Sequence, residues 1–254
     1  MIETHDANRK RWNACAAQWA RSADERGIWR RCHEQPELAF DPCELAHLGD
    51  VAGREVCVLG SGDNEVVFAL AGMGARVTSV DISEKQLAVA KQRAETLGLP
   101  VTFLRADVTD LHELGDDAFD LVYTGGHVGV WVSDLRPYYA EAARILRPEG
   151  LFIVSEYHPF RRVWKWETDS LELEYSYFDR SAHVYGCDPA RHDDPSEELL
   201  QYEYYWTIGD YVTAMLQASC ELLACEEYGE GPMDWEQAPL GGLPRVLLLV
   251  GKKK

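Results

Sequence analysis

Val56-Cys57-Val58-Leu59-Gly60-Ser61-Gly62-Asp63-Asn64 is the stretch on which the reading of this chain turns. Its four leading apolar residues suit a strand buried on both faces. The Gly-Ser-Gly that follows permits a tight turn in which backbone, rather than side chains, meets a ligand. Glu65 to Gly72 then reads as a helix, with Gly72 and Gly74 suited to closing it. Arg76 to Val80 is a second apolar run, and Asp81 stands at its end. A strand, a turn of small residues, a helix and a second strand ending in a carboxylate can hold an adenosine-bearing cofactor by its ribose hydroxyls.

Outward from this unit the alternation continues. Ser83-Glu84-Lys85-Gln86 has the capping-box pattern and opens a helix that turns Leu87, Ala90, Ala94 and Leu97 inward. Gly98 and Pro100 end it. Val101 to Arg105 reads as the third strand, with Asp107 just beyond. A short helical stretch is expected before Asp120 to Tyr123, the fourth strand, which runs into Thr124-Gly125-Gly126-His127. Ser133 and Asp134 can cap a helix reaching Leu146, Arg147 to Gly150 reads as a turn, and Leu151 to Ser155 as the fifth strand. Strands alternating with helices imply a parallel sheet covered on both faces, and right-handed crossovers give the doubly wound order.

The flanks differ from this core. Residues 5 to 30 predict a helix with Trp12, Ala16 and Trp19 on one face. Such a face either packs on the domain or forms a lid over the cofactor, with Trp12 or Trp19 at its mouth. From Pro159 the chain turns rich in aromatic and acidic residues. Alternation at Leu171, Leu173, Tyr175 and Tyr177 predicts a half-exposed strand, so 160 to 206 reads as a partly β cap. Thr207-Ile208-Gly209-Asp210 opens another helix, and Glu221 to Glu226 and Arg245 to Val250 supply final strands. One domain over 1–254 is expected: a helical segment (1–48), a cofactor-binding core (49–158), a cap (159–206), and a closing helix and strands (207–254).

Composition narrows the function classes. With 25 basic against 43 acidic residues, the net charge of −18 repels phosphate backbones and excludes nucleic acid as the expected partner. No apolar run approaches the roughly 20 residues that span a bilayer, and residues 1–6 lack a signal-peptide core. A cytoplasmic protein with no membrane partner, monomeric or homodimeric, is expected. Seven cysteines, an odd number without Cys-x-x-Cys spacing, argue against a disulfide framework and a Cys₄ zinc site. His183, Cys187, His192, Asp193 and Asp194 match no regular zinc spacing either, so no metal is assigned.

The strand ends Gly60 to Asn64, Asp81, Asp107, Tyr123 to His127 and Ser155 to His158 all fall on one edge of the expected sheet, where such folds bind ligands. In that order they resemble the class I SAM-dependent methyltransferases, of the type that acts on small molecules. The segments carrying the resemblance are Val56 to Gly62, Val77 to Ser83, Arg105 to Val108, Phe119 to Val122 and Ala143 to Phe152. The resemblance implies a Rossmann-like, mostly parallel seven-stranded sheet with an antiparallel last strand, and S-adenosylmethionine as cofactor. It places the methionine part on Gly60, Ser61 and Gly62. The ribose falls to Asp81, the adenine to Ile82, Asp107 and Val108, and the methyl-transfer site to 124–128, including Thr124 and Gly125. Trp19 would cover the cofactor.

Two positions depart from the family pattern. Val58 stands where an acid usually helps place the methionine ammonium, and Asp63 is the nearest substitute. Asn64 replaces the third glycine, and asparagine tolerates the left-handed conformation. Methyl transfer is an in-line displacement that often needs a base. His127 and His158, at the ends of the fourth and fifth strands, are the candidates. Two other readings remain. A nicotinamide oxidoreductase would need glycine where Glu65 stands, because a carboxylate there opposes a pyrophosphate. A non-enzymatic SAM-binding protein or scaffold is kept open by the missing acid at Val58.

Overall fold

The computed structural model describes residues 2–187, 199–231 and 236–254. In chain order the elements are α1 (Glu3–Arg26), α2 (Pro42–Leu48), β1 (Glu55–Leu59), α3 (Glu65–Gly72), β2 (Arg76–Asp81), α4 (Glu84–Leu97), β3 (Val101–Arg105) and β4 (Phe119–Thr124). Then come α5 (Leu135–Ile145), β5 (Leu146–Tyr157), β6 (Ala182–Gly186), β7 (Leu200–Tyr204), α6 (Ile208–Gln217), β8 (Cys220–Tyr228) and β9 (Val246–Lys253). Seven strands form one sheet in the order β3-β2-β1-β4-β5-β9-β8. The first five are parallel, and β9 runs antiparallel to both of its neighbours. This is the expected doubly wound, Rossmann-like sheet.

The period of two along β1 explains its unbroken apolar run. Val56 and Val58 enter the core cluster with α3 and the 28–51 segment, while Cys57 and Leu59 enter the one with α5 and α6. All four are buried, so either face is closed to water. Ser83 caps α4 by accepting from the Gln86 amide, and Thr207 and Asp210 form the capping box that opens α6.

The first turn is set by contact rather than by composition alone. Gly60 has φ +60° and Gly62 φ +50°. A Cβ on Gly60 would lie 2.4 Å from Val128 Cγ2, so the β1 turn and the β4 loop touch where only glycine fits. Asn64 does not take the left-handed conformation: its φ is −62° and ψ 133°, and its side chain caps α3 by accepting from the Val66 amide. Capping is the commoner use of asparagine at a helix start.

Three expectations for the chain path are corrected. Between β3 and β4 the chain makes turns around an isolated Asp107–Asp110 bridge and forms no helix. Arg147 to Gly150 lies inside β5, whose register against β4 shifts between Phe119 and Leu121, with Glu149 at φ 66°. That is an extended bulge, in which β5 absorbs three extra residues between Leu146 and Leu151 without ending the strand. Leu171 to Tyr177 forms a single bridge, Trp164 to Leu173, and leaves Leu171 and Leu173 exposed. Among the described residues of 160–206 the strands are β6 and β7, an antiparallel pair outside the main sheet. Asn8 of α1 fixes β7 by accepting from the Tyr202 amide and donating to its carbonyl.

Gly72 marks the tightest packing. A Cβ there would sit 1.9 Å from the His33 carbonyl oxygen, which is backbone and cannot rotate away. Gly72→Ala is therefore expected to destabilise the fold by about 1–3 kcal/mol, read as a lower urea midpoint at unchanged slope. An unaltered midpoint would refute this packing.

Candidate functional site at the carboxyl edge of the sheet

Asp81 is the centre of this edge. Its Oδ2 accepts from the Gly62 amide at 2.7 Å and its Oδ1 from the Ser83 amide at 2.7 Å. The carboxylate thereby joins the first turn to the start of α4. Burial pushes its pKa up to about 6, against the lowering effect of those two amides. Each oxygen keeps a lone pair for a further donor.

The neighbouring positions are held from long range. Ser61 bonds Ser79 Oγ at 2.7 Å and the Val80 carbonyl at 3.1 Å, which ties the turn to β2. Asp63 pairs with Arg93 of α4, whose guanidinium also reaches the Ala20 carbonyl and Asp24 of α1. Its carboxylate is therefore already committed to one cation, on the side where it was expected to meet an ammonium. Asp107 Oδ1 accepts from the Thr109 amide and hydroxyl, and Oδ2 meets His5 Nδ1 at 2.7 Å. Despite burial, His5 and Thr109 hold that carboxyl below its ordinary value. Ile82 is half-buried and Val108 buried beside these carboxylates.

Helix α1 lies along this edge. His5 meets Asp107 and Ser133, Arg9 pairs with Glu84, and Asn13 accepts from Ser83 Oγ. Trp12 packs edge-on to Trp131 at 5.2 Å and stands 6.0 Å from Trp19. Trp19 itself is 40% exposed.

The two histidines have defined hydrogen-bond roles. His127 has φ 70°, which turns its ring back so that Nδ1 accepts from the Tyr157 amide at 2.8 Å. A neutral ring then carries its proton on Nε2 and donates there. Burial and the charge of Arg162 lower its pKa to about 3. Protonation would break the Tyr157 bond and place a cation in a buried site, so the geometry opposes a general-base role. His158 is fully buried, with Nε2 2.7 Å from Glu227 and Nδ1 accepting from the Phe160 amide. Nε2 thus joins the end of β5 to β8, and Nδ1 caps the turn at Pro159–Arg161, so both nitrogens are occupied.

Thr124 is buried, its Oγ1 accepting from Tyr138 at 2.5 Å. Gly125 leaves no room for a side chain, since a Cβ would fall 2.5 Å from the Tyr123 hydroxyl.

Glu156, near the end of β5, was missed as a site residue. It is 2% exposed. Its Oε1 accepts from the Gly129 amide at 2.7 Å, and its Oε2 is buried with no hydrogen-bond partner. Burial pushes its pKa up to about 7, and Arg162 opposes that rise. A carboxylate closing a run of buried strand residues was the available signal. Of the residues considered for a metal, His192, Asp193 and Asp194 lie outside the described residues. Among the described residues no group of three or more ligating side chains exists.

This edge fits the expected cofactor. Two glycines open the turn, a buried carboxylate offers lone pairs to vicinal hydroxyls, and the surrounding acids suit a sulfonium and an ammonium. Residues 57–154 match the family model described as a methyltransferase domain. The chain is 33% identical over 109 residues to the uncharacterized methyltransferase YbaJ of Bacillus subtilis, covering 43% of this chain and 42% of that protein. It is 28% identical over 188 residues to the ubiquinone biosynthesis O-methyltransferase of a Methylobacterium strain, covering 68% and 72%. The chain thus spans less than half the length of the first of these relatives. An S-adenosylmethionine dependent methyltransferase from Mesorhizobium loti has the same fold, with a TM-score of 0.64 at 24% identity over 84% of this chain and 96% of that one.

Glu156 yields a pH prediction. Its folded pKa lies above the ordinary 4.5, so its contribution to stability is complete below that value and is lost as pH rises through about 7. Glu156→Gln keeps an acceptor for Gly129 and removes the charge. Relative to the parent, the variant should gain on the order of 3 kcal/mol in unfolding free energy between pH 4 and pH 8. Parallel pH profiles from chemical denaturation would contradict the burial of an ionised Glu156.

Proposed function

We propose that this chain, whose residues 57–154 form a class I SAM-dependent methyltransferase domain, moves a methyl group from S-adenosylmethionine to a small-molecule acceptor by in-line displacement. The observation that carries the reading is the buried Asp81 carboxylate, fixed by the Gly62 and Ser83 amides beside two glycines of positive φ. The cofactor supplies an electrophilic methyl on a sulfonium. Asp81 accepts from the ribose hydroxyls, Ile82 packs on the adenine, and Asp107 and Val108 line its edge. Gly60 to Gly62 admit the methionine part, beside the Asp63–Arg93 ion pair.

The acceptor side is the cap. A cavity of about 400 Å³ is lined by Trp166, Glu174, Tyr175, Tyr185, Glu203 and Tyr205, among others. That is the size of a small-molecule site. The Arg162 guanidinium lies 5.8 Å from the Tyr205 ring and 5.0 Å from the Tyr157 ring, and the Tyr157 amide bonds His127. This series of contacts links a residue of the cavity lining to the 124–128 segment. His127, as an Nε2 donor, positions rather than deprotonates. Helix α1 acts as the lid that excludes water, with Trp19 over the cofactor. The Methylobacterium relative, named for O-methylation in ubiquinone biosynthesis, supports a small-molecule acceptor. The odd cysteine count without Cys-x-x-Cys spacing favours a reducing compartment, and we place the reaction in the cytoplasm.

Calorimetry tests this reading. The purified chain should bind SAM and not NAD, and Asp81→Ala should weaken SAM at least tenfold. The ribose contact needs an ionised Asp81, so SAM affinity should hold above pH 7 and fall as pH drops through about 6. Failure of the folded chain to bind SAM would refute the proposal. Binding without turnover over a broad panel of small acceptors would favour the non-catalytic SAM-binding protein instead.

A further inference from the structure

Four arginines of the described chain are buried, and three of them face a carboxylate. Arg93 pairs with Asp63 and Asp24, Arg161 with Glu236, and Arg162 lies 3.9 Å from Glu203. Arg11 is the exception. It is 8% exposed, and its Nε and Nη1 are buried with no hydrogen-bond partner. Among the described residues, no carboxylate forms an ion pair with this guanidinium. Removing a cation from water without pairing it is costly. Its flat face is accommodated, because it lies 4.3 Å from the Trp12 ring centre and 5.4 Å from that of Trp131. Aromatic faces attract the cation but offer nothing to in-plane N–H donors.

The position of Arg11 gives the missing group its class. It lies on α1, the helix that runs along the carboxyl edge, and against Trp131, which follows the 124–128 segment. The same helix bonds the Trp131 carbonyl through Asn8. We propose that Arg11 is a carboxylate-binding residue of this site, which a ligand's carboxylate completes. An edge of the planar guanidinium matches a carboxylate bidentately, as an ammonium does not. The carboxylate belongs either to the methionine part of the cofactor or to the acceptor. The first source rests on the function proposed above, and the second does not need it.

The test uses the full-length chain and two variants, Arg11→Met and Arg11→Lys. SAM and 5′-methylthioadenosine, which lacks the amino acid, are titrated by calorimetry. Benzoate is titrated into protein saturated with S-adenosylhomocysteine, with tryptophan fluorescence as readout. If the cofactor supplies the carboxylate, Arg11→Met weakens SAM at least tenfold and leaves methylthioadenosine unchanged. If the acceptor supplies it, SAM is unchanged and the benzoate response is lost. In both cases Arg11→Lys restores only part of the effect. The ligand-free Arg11→Met protein should also melt no lower than the parent, because it has lost an uncompensated buried charge. Unchanged binding of SAM and benzoate with a lowered Tm would overturn the proposal and leave Arg11 a structural cation between two indoles. If the parent chain binds no SAM, the proposed function fails, and the benzoate arm, run without S-adenosylhomocysteine, still decides the role of Arg11.

Discussion

The fold is organised around a buried charge. Asp81 sits at the end of a central strand, where burial penalises its ionised form, and two backbone amides from different loops offset part of that penalty. Both donors depend on local conformations that few residues supply. Gly62 presents its amide from φ +50°, and Ser83 presents its own as the capping residue of α4. The parallel sheet sets β1 beside β2 with Leu59 opposite Val80, which brings the two loops to a common carboxylate. Sheet register, the glycine turn and a helix cap are thus three conditions on one side chain.

The core was legible because its signals are local. Apolar runs bounded by glycine and a capping box each specify a few consecutive residues, and β1 to β5 follow from them. The bulge at Arg147 to Gly150 escaped this reading because the same residues suit a turn or a strand that absorbs one. Leu171 to Tyr177 misled for a related reason. Alternation describes a strand only if a partner strand exists, and in the cap that partnership belongs to 182–186 and 200–204.

The site was legible by position and less so by role. Strand-end spacing placed Asp81, Asp107, His127 and His158 on one edge. It could not give the partners of their lone pairs, which come from chain far away in sequence: His5 for Asp107, the Tyr157 amide for His127, Glu227 for His158 and Arg93 for Asp63. Those partners decide which groups can accept a proton. The same holds in reverse for Glu156 and Arg11, ordinary residues by composition, whose orphaned atoms are a product of tertiary burial.

The meeting of Gly60 with Val128 has a thermodynamic corollary. One residue belongs to the turn expected to hold the cofactor, the other to the loop that carries His127, and there is no slack between them. Close-packed atoms without a gap transmit displacement. A ligand that shifts the first turn must do work on the second, and linkage makes the relation mutual: whatever stabilises one arrangement of the β4 loop changes affinity at the β1 turn by the same factor. The two halves of the site therefore share one free-energy surface, with a glycine as the point of exchange.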